Sequence, residues 1–297
     1  MRLFLTGATG HLGSQVALRL LRSLQFELFG MKRLTSSLAR LAGAGAQIRW
    51  YNTEETPVEN MLEDCRPDIV LHAATQYGPD PHGRSTLIET NVAMPLRILD
   101  AAIAQNVSAF ISVGTMLEKT ASAYALSKNQ FREWLSESAD SIRAIDIATE
   151  LFYGPGGNPE NFVSSLVRQL LRGDPRVPLT AGEQVRDFVI ADDLVDAIEH
   201  VLRHVAGGPP GPGYQRFEVG GGQPQTIRDF AQSIQRILGP KGSVLDFGSV
   251  PYRRNEPMCI APDLARMRAI GWLPCRSHRE TILRMAEEED ARVCQNI

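Results

Sequence analysis

The sequence predicts an α/β protein: a doubly wound parallel sheet with a smaller, mostly helical C-terminal subdomain. Three observations predict it. Through the first two-thirds of the chain, short apolar runs rich in β-branched or aromatic residues alternate with longer segments of helical periodicity. The runs are nearly continuous rather than alternating, as strands covered on both faces must be. A glycine-rich turn stands between the first strand and the first helix.

The predicted strands are RLFLT (2–6), FELFG (26–30), AQIRW (46–50), DIVLHAA (68–74), SAFISVG (108–114) and RAIDIATELF (143–152). Between them, STLIETNVAMPLRILDAAIA (85–104) and the stretch from Tyr124 to Ser138 read as helices. GPGGNP (154–159) and AGGPPGPG (206–213) are breaks, and TIRD (226–229) is a capping box that opens a further helix. The expected division is a dinucleotide-binding domain over 1–155 and 186–222, with a second subdomain over 156–185 and 223–297.

The composition excludes several classes. The chain has 297 residues, 43% hydrophobic and 22% charged, with a formal charge of −3, so neither nucleic acid nor an anionic membrane is indicated as a partner. No apolar run approaches the roughly 20 residues that cross a bilayer, and the N-terminal run is too short for a signal peptide, so a soluble cytoplasmic protein is expected. Cys65, Cys259, Cys275 and Cys294 are scattered, which suits free thiols in a reducing compartment and no metal site. His200 and His204 share a helix face without a third ligand, and His72 reads as a core histidine.

TGATGHLGS (6–14) carries the strongest local signal. Gly7, Gly10 and Gly13 permit a tight turn, a close backbone approach and close helix packing, with N–H groups and the helix dipole facing a pyrophosphate. Thr9, His11 and Leu12 belong to the same loop. This is a Rossmann-type dinucleotide site. No carboxylate occurs from Gly30 to Leu38 to bind a ribose 2′-hydroxyl; Lys32, Arg33 and Ser36 stand there, as a 2′-phosphate requires. The residues therefore favour NADP(H) over NAD(H).

Tyr124 and Lys128 lie four apart, on one helix face. Their helix follows a strand ending at Thr115, and in a doubly wound sheet the strand C-termini face the ligand crevice. Thr115, Tyr124 and Lys128 can thus meet beside a nicotinamide. The Lys128 ammonium is expected to draw the phenol down from its ordinary value of about 10. Ala73, Ala74, Thr75 and Tyr77 follow the fourth strand and are candidates to touch cofactor and substrate. Asn161 is either a ligand contact or a helix N-cap.

The G-x2-G-x2-G loop and the Thr–Tyr–Lys set resemble the short-chain dehydrogenase/reductases, in the extended form of the NAD-dependent epimerase/dehydratase family. The resemblance runs nearly end to end. It matches Asn91 in ETNVAMPL to a fourth-helix asparagine at the cofactor, and Arg186 in VRDFVIADDLVDAI to a diphosphate-binding arginine. It also covers FEVGGGQPQTIRDF (217–230), and PYRRNE (251–256) as an arginine–acid motif for the nucleotide sugar, with Arg253 and Glu256 fitting best and Arg254 beside them. The stretch IATELFYGP has Ala148 and Leu151 where the family often has arginine and asparagine. HAATQYG (72–78), ELFYGPGG (150–157), LTAGEQVRDF (179–188) and the short gap from Thr115 to Tyr124 resemble the nucleotide-sugar 4-ketoreductases such as CDP-abequose and CDP-paratose synthases.

That resemblance implies an NADPH-dependent reductase acting on the C4 ketone of a nucleotide-linked 4-keto-deoxysugar. Tyr124 would be the proton donor, Thr115 would polarise the carbonyl and Lys128 would tune the tyrosine and orient the cofactor. A homodimer through the helices at 85–104 and after Tyr124 is implied as well. Two alternatives stay open: a nucleotide-sugar epimerase or dehydratase with tightly bound NAD, and a non-catalytic NADP-sensing protein.

Overall fold

The computed structural model describes residues 1–23, 25–77, 83–209, 211–239 and 242–295, the last three without their side chains. Gly78, which closes HAATQYG, and the Cys294 side chain lie outside what is described. The chain divides into two compact units. Unit 1 comprises Met1–Thr149, Val195–Glu218 and Ala265–Trp272; unit 2 comprises Glu150–Leu194, Val219–Leu264 and Leu273–Ile297. Among the described residues, no helix is long and apolar enough to cross a membrane.

Unit 1 is built on β1 (Arg2–Thr6), β2 (Glu27–Lys32), β3 (Arg49–Asn52), β4 (Ile69–His72), β5 (Ala109–Thr115) and β6 (Arg143–Thr149). With Gly213–Val219 they form a seven-stranded sheet, whose order away from that last strand is β6-β5-β4-β1-β2-β3. The pairings among β1 to β6 are parallel. Each of the six strands falls on or beside a predicted apolar run. The strand order reverses at β1, which has β2 on one side and β4 on the other, and such a switch point opens a crevice at the strand carboxyl ends.

The helices are α1 (His11–Ser23), α2 (Val58–Cys65), α3 (Arg84–Ile88), α4 (Met94–Ala104) and α5 (Ala123–Glu137). Met61 and Leu62 of α2, Ile98, Leu99 and Ala102 of α4, and Phe131 and Leu135 of α5 pack with Phe4, Phe29, Val70 and Phe110 of the sheet. The single helix expected over 85–104 is interrupted: Glu89–Ala93 form one π-helical turn around the buried Asn91. Such a turn widens the ladder locally and is frequent at functional sites.

Unit 2 follows β6. It holds β7 (Phe152–Tyr153), α6 (Phe162–Arg172), β8 (Arg176–Leu179), β9 (Val185–Arg186) and β10 (Val189–Ile190). After α7 (Ala191–Gly207) and β11, the sheet strand Gly213–Val219, come β12 (Gln225–Thr226), α8 (Ile227–Leu238) and β13 (Val244–Phe247); α9 (Ala265–Ala269) returns to unit 1, and α10 (His278–Gln295) belongs to unit 2. Three helices, α6, α8 and α10, share a core in which Phe188 and Phe230 stack at 3.8 Å with Leu166, Ile234 and Ile282 around them. Three two-stranded pairs, β7–β10, β9–β12 and β8–β13, add strand to a part of the chain expected to be mostly helical. Strands of two to four residues are too short to show a period. The capping box forms as read: Thr226 Oγ1 accepts the Asp229 N–H at 3.0 Å.

Candidate active site

The glycine loop is a cradle with no room for side chains. Gly7 sits at φ +73°, and a Cβ there would come within 2.6 Å of the Ala74 nitrogen. A Cβ on Gly13 would lie 2.1 Å from the Gly7 carbonyl oxygen, so only glycine lets α1 pack this closely on the turn. Gly10 N–H donates to Gly7 O at 2.9 Å and closes the loop. Leu12 is buried, which leaves its backbone as the part that can serve a ligand. Thr6 Oγ1 accepts the Ala74 N–H at 3.2 Å and contacts His72 Nδ1 at 2.8 Å, tying β1 to the Ala73–Ala74 segment. Backbone N–H groups at a helix start, beside a surface without Cβ atoms, fit a dinucleotide pyrophosphate.

At the end of β2, Arg33 N–H donates to Ser36 Oγ at 3.1 Å and Ser36 N–H returns to Arg33 O at 3.0 Å. Lys32 is half-buried and Arg33 exposed. An acid also reaches this place, from the next strand. Glu54 Oε2 accepts the Leu34 N–H at 3.1 Å and the Thr53 hydroxyl at 3.1 Å. Desolvation opposes ionisation of Glu54, but these bonds and the Arg33 charge outweigh it and hold the carboxyl below its usual value.

Tyr124 and Lys128 sit in the first two turns of α5, whose start is fixed by Ser122 Oγ accepting the Ala125 N–H at 3.0 Å. The Tyr124 ring stacks on Tyr77, centroids 4.8 Å apart and planes 28° apart. Its hydroxyl shares hydrogen bonds with Tyr77 and Thr75. Asn91 locks the surrounding loop. Its Oδ1 accepts from Gln76 N–H at 2.8 Å and from Thr75 Oγ1 at 3.2 Å, and its Nδ2 donates to Gln76 O at 2.9 Å and Ser127 Oγ at 3.0 Å. The carboxamide is thus committed to the β4 loop and α5. Thr115 is 8% exposed and its Oγ1 accepts the Leu117 N–H at 3.2 Å, so its hydroxyl hydrogen can point elsewhere.

The phenol is raised rather than lowered. Burial pushes Tyr124 well above its ordinary value, and the neighbouring Tyr77 adds to the rise against a smaller opposing bond from Thr75. Lys128 acts elsewhere. The residue is 3% exposed, and its ammonium falls to about 8 through burial, with Asp146 opposing the drop. Asp146 of β6 is itself pushed up to about 6 by burial, while Arg216, 3.7 Å away, pulls it back. Gly114 makes room for that carboxylate, since a Cβ there would meet Asp146 Oδ1 at 2.1 Å.

Unit 2 gathers the other candidates. The Arg186 side chain is 4% exposed; its Nη2 donates to Glu256 Oε1 at 2.6 Å and its Nη1 to the Val185 carbonyl at 2.8 Å. Its Nε lies 3.6 Å from Glu150 Oε1. Arg253 and Arg254 are exposed on the turn that Glu256 N–H closes to Arg253 O at 3.1 Å. Asn161 stands at the N-cap position of α6, but its side chain makes no capping bond and is exposed.

A family model of NAD-dependent epimerases and dehydratases matches residues 3–220. The chain belongs to that family. CDP-abequose synthase of Salmonella typhimurium is 28% identical over 292 residues, covering 93% of this chain and 94% of its own. UDP-glucose 4-epimerase of Mycolicibacterium smegmatis is 26% identical over 319 residues, covering 97% and 98%. Among solved structures, a dTDP-glucose 4,6-dehydratase of Streptomyces venezuelae with NAD bound superposes with a TM-score of 0.84 at 24% identity, over 99% of this chain and 98% of that one. A UDP-glucose 4-epimerase of Thermotoga maritima with UDP-glucose gives 0.82 at 20% identity, over 99% and 100%. The structural likenesses bear on the fold.

As a member of the epimerase/dehydratase family, the chain brings together Thr75, Tyr77, Tyr124 and Asn91 in one unit and Arg186 with Glu256 in the other. Arg253 and Asn161 are exposed. Glu54 was missed, and Glu150 was not read as a partner of Arg186. Glu54 meets Leu34 through the parallel register Lys32↔Asn52, which puts the residues after Asn52 beside those after Lys32 and leaves no local mark in the sequence.

Proposed function

We propose that the protein is an NADPH-dependent reductase of nucleotide-linked 4-keto-deoxysugars, with Tyr124 as the proton donor to the C4 oxygen. The observation that carries the reading is the Tyr124–Lys128 pair on α5, with a phenol that burial keeps protonated. Family membership and full-length similarity to CDP-abequose synthases support it. The glycine cradle would hold the dinucleotide, which when bound supplies a hydride. Tyr124 then yields its proton to the substrate oxygen. A secondary alkoxide is a far stronger base than a phenolate, so a raised phenol still gives that proton up. Thr115 donates a hydrogen bond to the same oxygen. Lys128 lends a positive charge and orients the nicotinamide ribose; Asn91 acts by holding Thr75 and the β4 loop in place. Lys32, Arg33 and Ser36 take the 2′-phosphate of NADP(H). Arg186, Arg253 and Glu256 serve the nucleotide diphosphate, which guanidinium groups grip in bidentate fashion. Ile88, Leu126 and Trp134, 41%, 41% and 50% exposed on α3 and α5, are assigned to a homodimer interface.

One observation favours a second reading. Glu54 places a carboxylate at the end of β2, where an acid suits the 2′-hydroxyl of NAD, the cofactor an epimerase retains. Mixing the protein with NADPH or NADH and a panel of CDP-, dTDP-, UDP- and GDP-linked 4-keto-6-deoxysugars separates the two. The reductase reading expects loss of reduced-cofactor absorbance, faster with NADPH. Interconversion of C4-hydroxyl epimers of the matching nucleotide-linked hexoses, offered in a parallel panel, without net cofactor oxidation would replace it with the second reading.

A further inference from the structure

Arg186 is surrounded by more acid than one guanidinium can neutralise. Glu256 accepts from its Nη2, and Glu150 lies along its Nε at 3.6 Å. Asp187, the next residue, is 1% exposed and accepts the N–H groups of Gly222 and Gln223 at 2.9 and 2.8 Å. The Glu150 side chain is 2% exposed, and its Oε2 accepts the Asp187 N–H at 3.3 Å. With every group ionised, one positive charge would face three negative ones. A buried surplus of charge is relieved by proton uptake. Glu150 is the member that yields. It is the more deeply buried of the two carboxylates on Arg186 and has the longer contact. Burial pushes it up to about 7, against the pull of Arg186 and of the Asp187 and Leu151 N–H groups, with the Asp187 charge adding to the rise.

A nucleotide sugar brings two more negative charges to Arg186. We propose that Glu150 is a positioning residue for Arg186, and that it must carry a proton for Arg186 to hold a nucleotide-sugar diphosphate. The proposal rests on the reading of Arg186 as the diphosphate ligand. An ionised Glu150 competes for the guanidinium and repels the ligand. A protonated Glu150 does neither, and it keeps its place through the Asp187 N–H. Bound diphosphate raises the Glu150 pKa further, so binding takes up a proton and affinity falls as pH rises through about 7. The sugar-linked diphosphate itself stays fully ionised there. The nearby imidazole, His278, responds to the Asp187 charge but is lowered by burial, so its change of charge falls on the acid side of this window.

Calorimetric titration of the full chain with CDP-glucose and UDP-glucose tests this, in two buffers of different ionisation enthalpy. The wild type is expected to bind about tenfold more weakly at about pH 8.5 than at about pH 6.5, with net proton uptake on the alkaline side. Glu150→Gln should bind within about twofold of one affinity across that range. A pH-independent wild type without proton uptake overturns the proposal, and so does a Gln variant that keeps the slope. The wild-type proton count decides even if the variant does not fold. Arg186→Met separates the two levels of the argument. If it binds these ligands as tightly as the wild type, the reading of Arg186 falls and the proposal with it. If it binds weakly while the wild type shows no pH slope, only the proposal falls.

Discussion

Around Tyr124 the partners are uncharged: the Thr75 hydroxyl, the Tyr77 ring and hydroxyl and, one step out, the Asn91 carboxamide. Around Arg186 they are carboxylates, Glu150 and Glu256, with Asp187 close behind. Arg186, Glu150 and Asp187 are buried, while around Tyr124 only Asn91 is, with Tyr124 and Thr75 half-buried and Tyr77 exposed, and burial acts on the two sets differently. It leaves a neutral hydrogen-bond network in one protonation state and fixes its geometry. It leaves a charged cluster with an unresolved surplus that a proton must settle. The first arrangement holds a constant shape around Tyr124, and the second is the one for which we propose a charge that follows the solution.

Removing the centre of each cluster sharpens this contrast. The larger effect is expected for Arg186→Met, which strands two carboxylates in unit 2 and should cost about 3–5 kcal/mol of stability. The cost should depend on pH. Stranded carboxyls have folded pKa values above their unfolded ones, so the fold is favoured at low pH and loses stability as pH rises through the raised values. Denaturant melts at about pH 5.5 and 8 should show a clear difference, and equal loss at both would break the contrast. The smaller effect is expected for Asn91→Ala, which removes a buried carboxamide with four hydrogen bonds to three residues. It should cost about 2 kcal/mol, and by the same amount at both pH values, because none of those partners titrates in that range.

The same contrast explains what could be read in the sequence. The strands β1 to β6 were legible because strands buried on both faces write themselves as unbroken apolar runs. Gly7 and Gly13 were legible because their spacing is imposed by contacts within one turn, such as Gly13 against the Gly7 carbonyl. Tyr124 and Lys128 were legible because four residues is one helical turn. Glu150 on Arg186 and Glu54 on Leu34 were not, since each pairs residues 36 or 20 positions apart that meet only through the folded backbone. The direction of the Tyr124 shift was also hidden. Lys128 was expected to act on the phenol, whereas its charge is felt at Asp146 and His72, and the stack with Tyr77 joins two helically unrelated segments.

The central claim is that the Tyr124 hydroxyl delivers the proton in a reduction. Tyr124→Phe removes that one oxygen and keeps the ring stacked on Tyr77. Single-turnover oxidation of pre-bound NADPH by a nucleotide-linked 4-keto-6-deoxysugar, read beside the fluorescence of the bound cofactor, is the most direct measurement. Cofactor binding should be unchanged and the rate lower by about 10²–10⁴-fold. A Phe variant that reduces the sugar at the wild-type rate would contradict it.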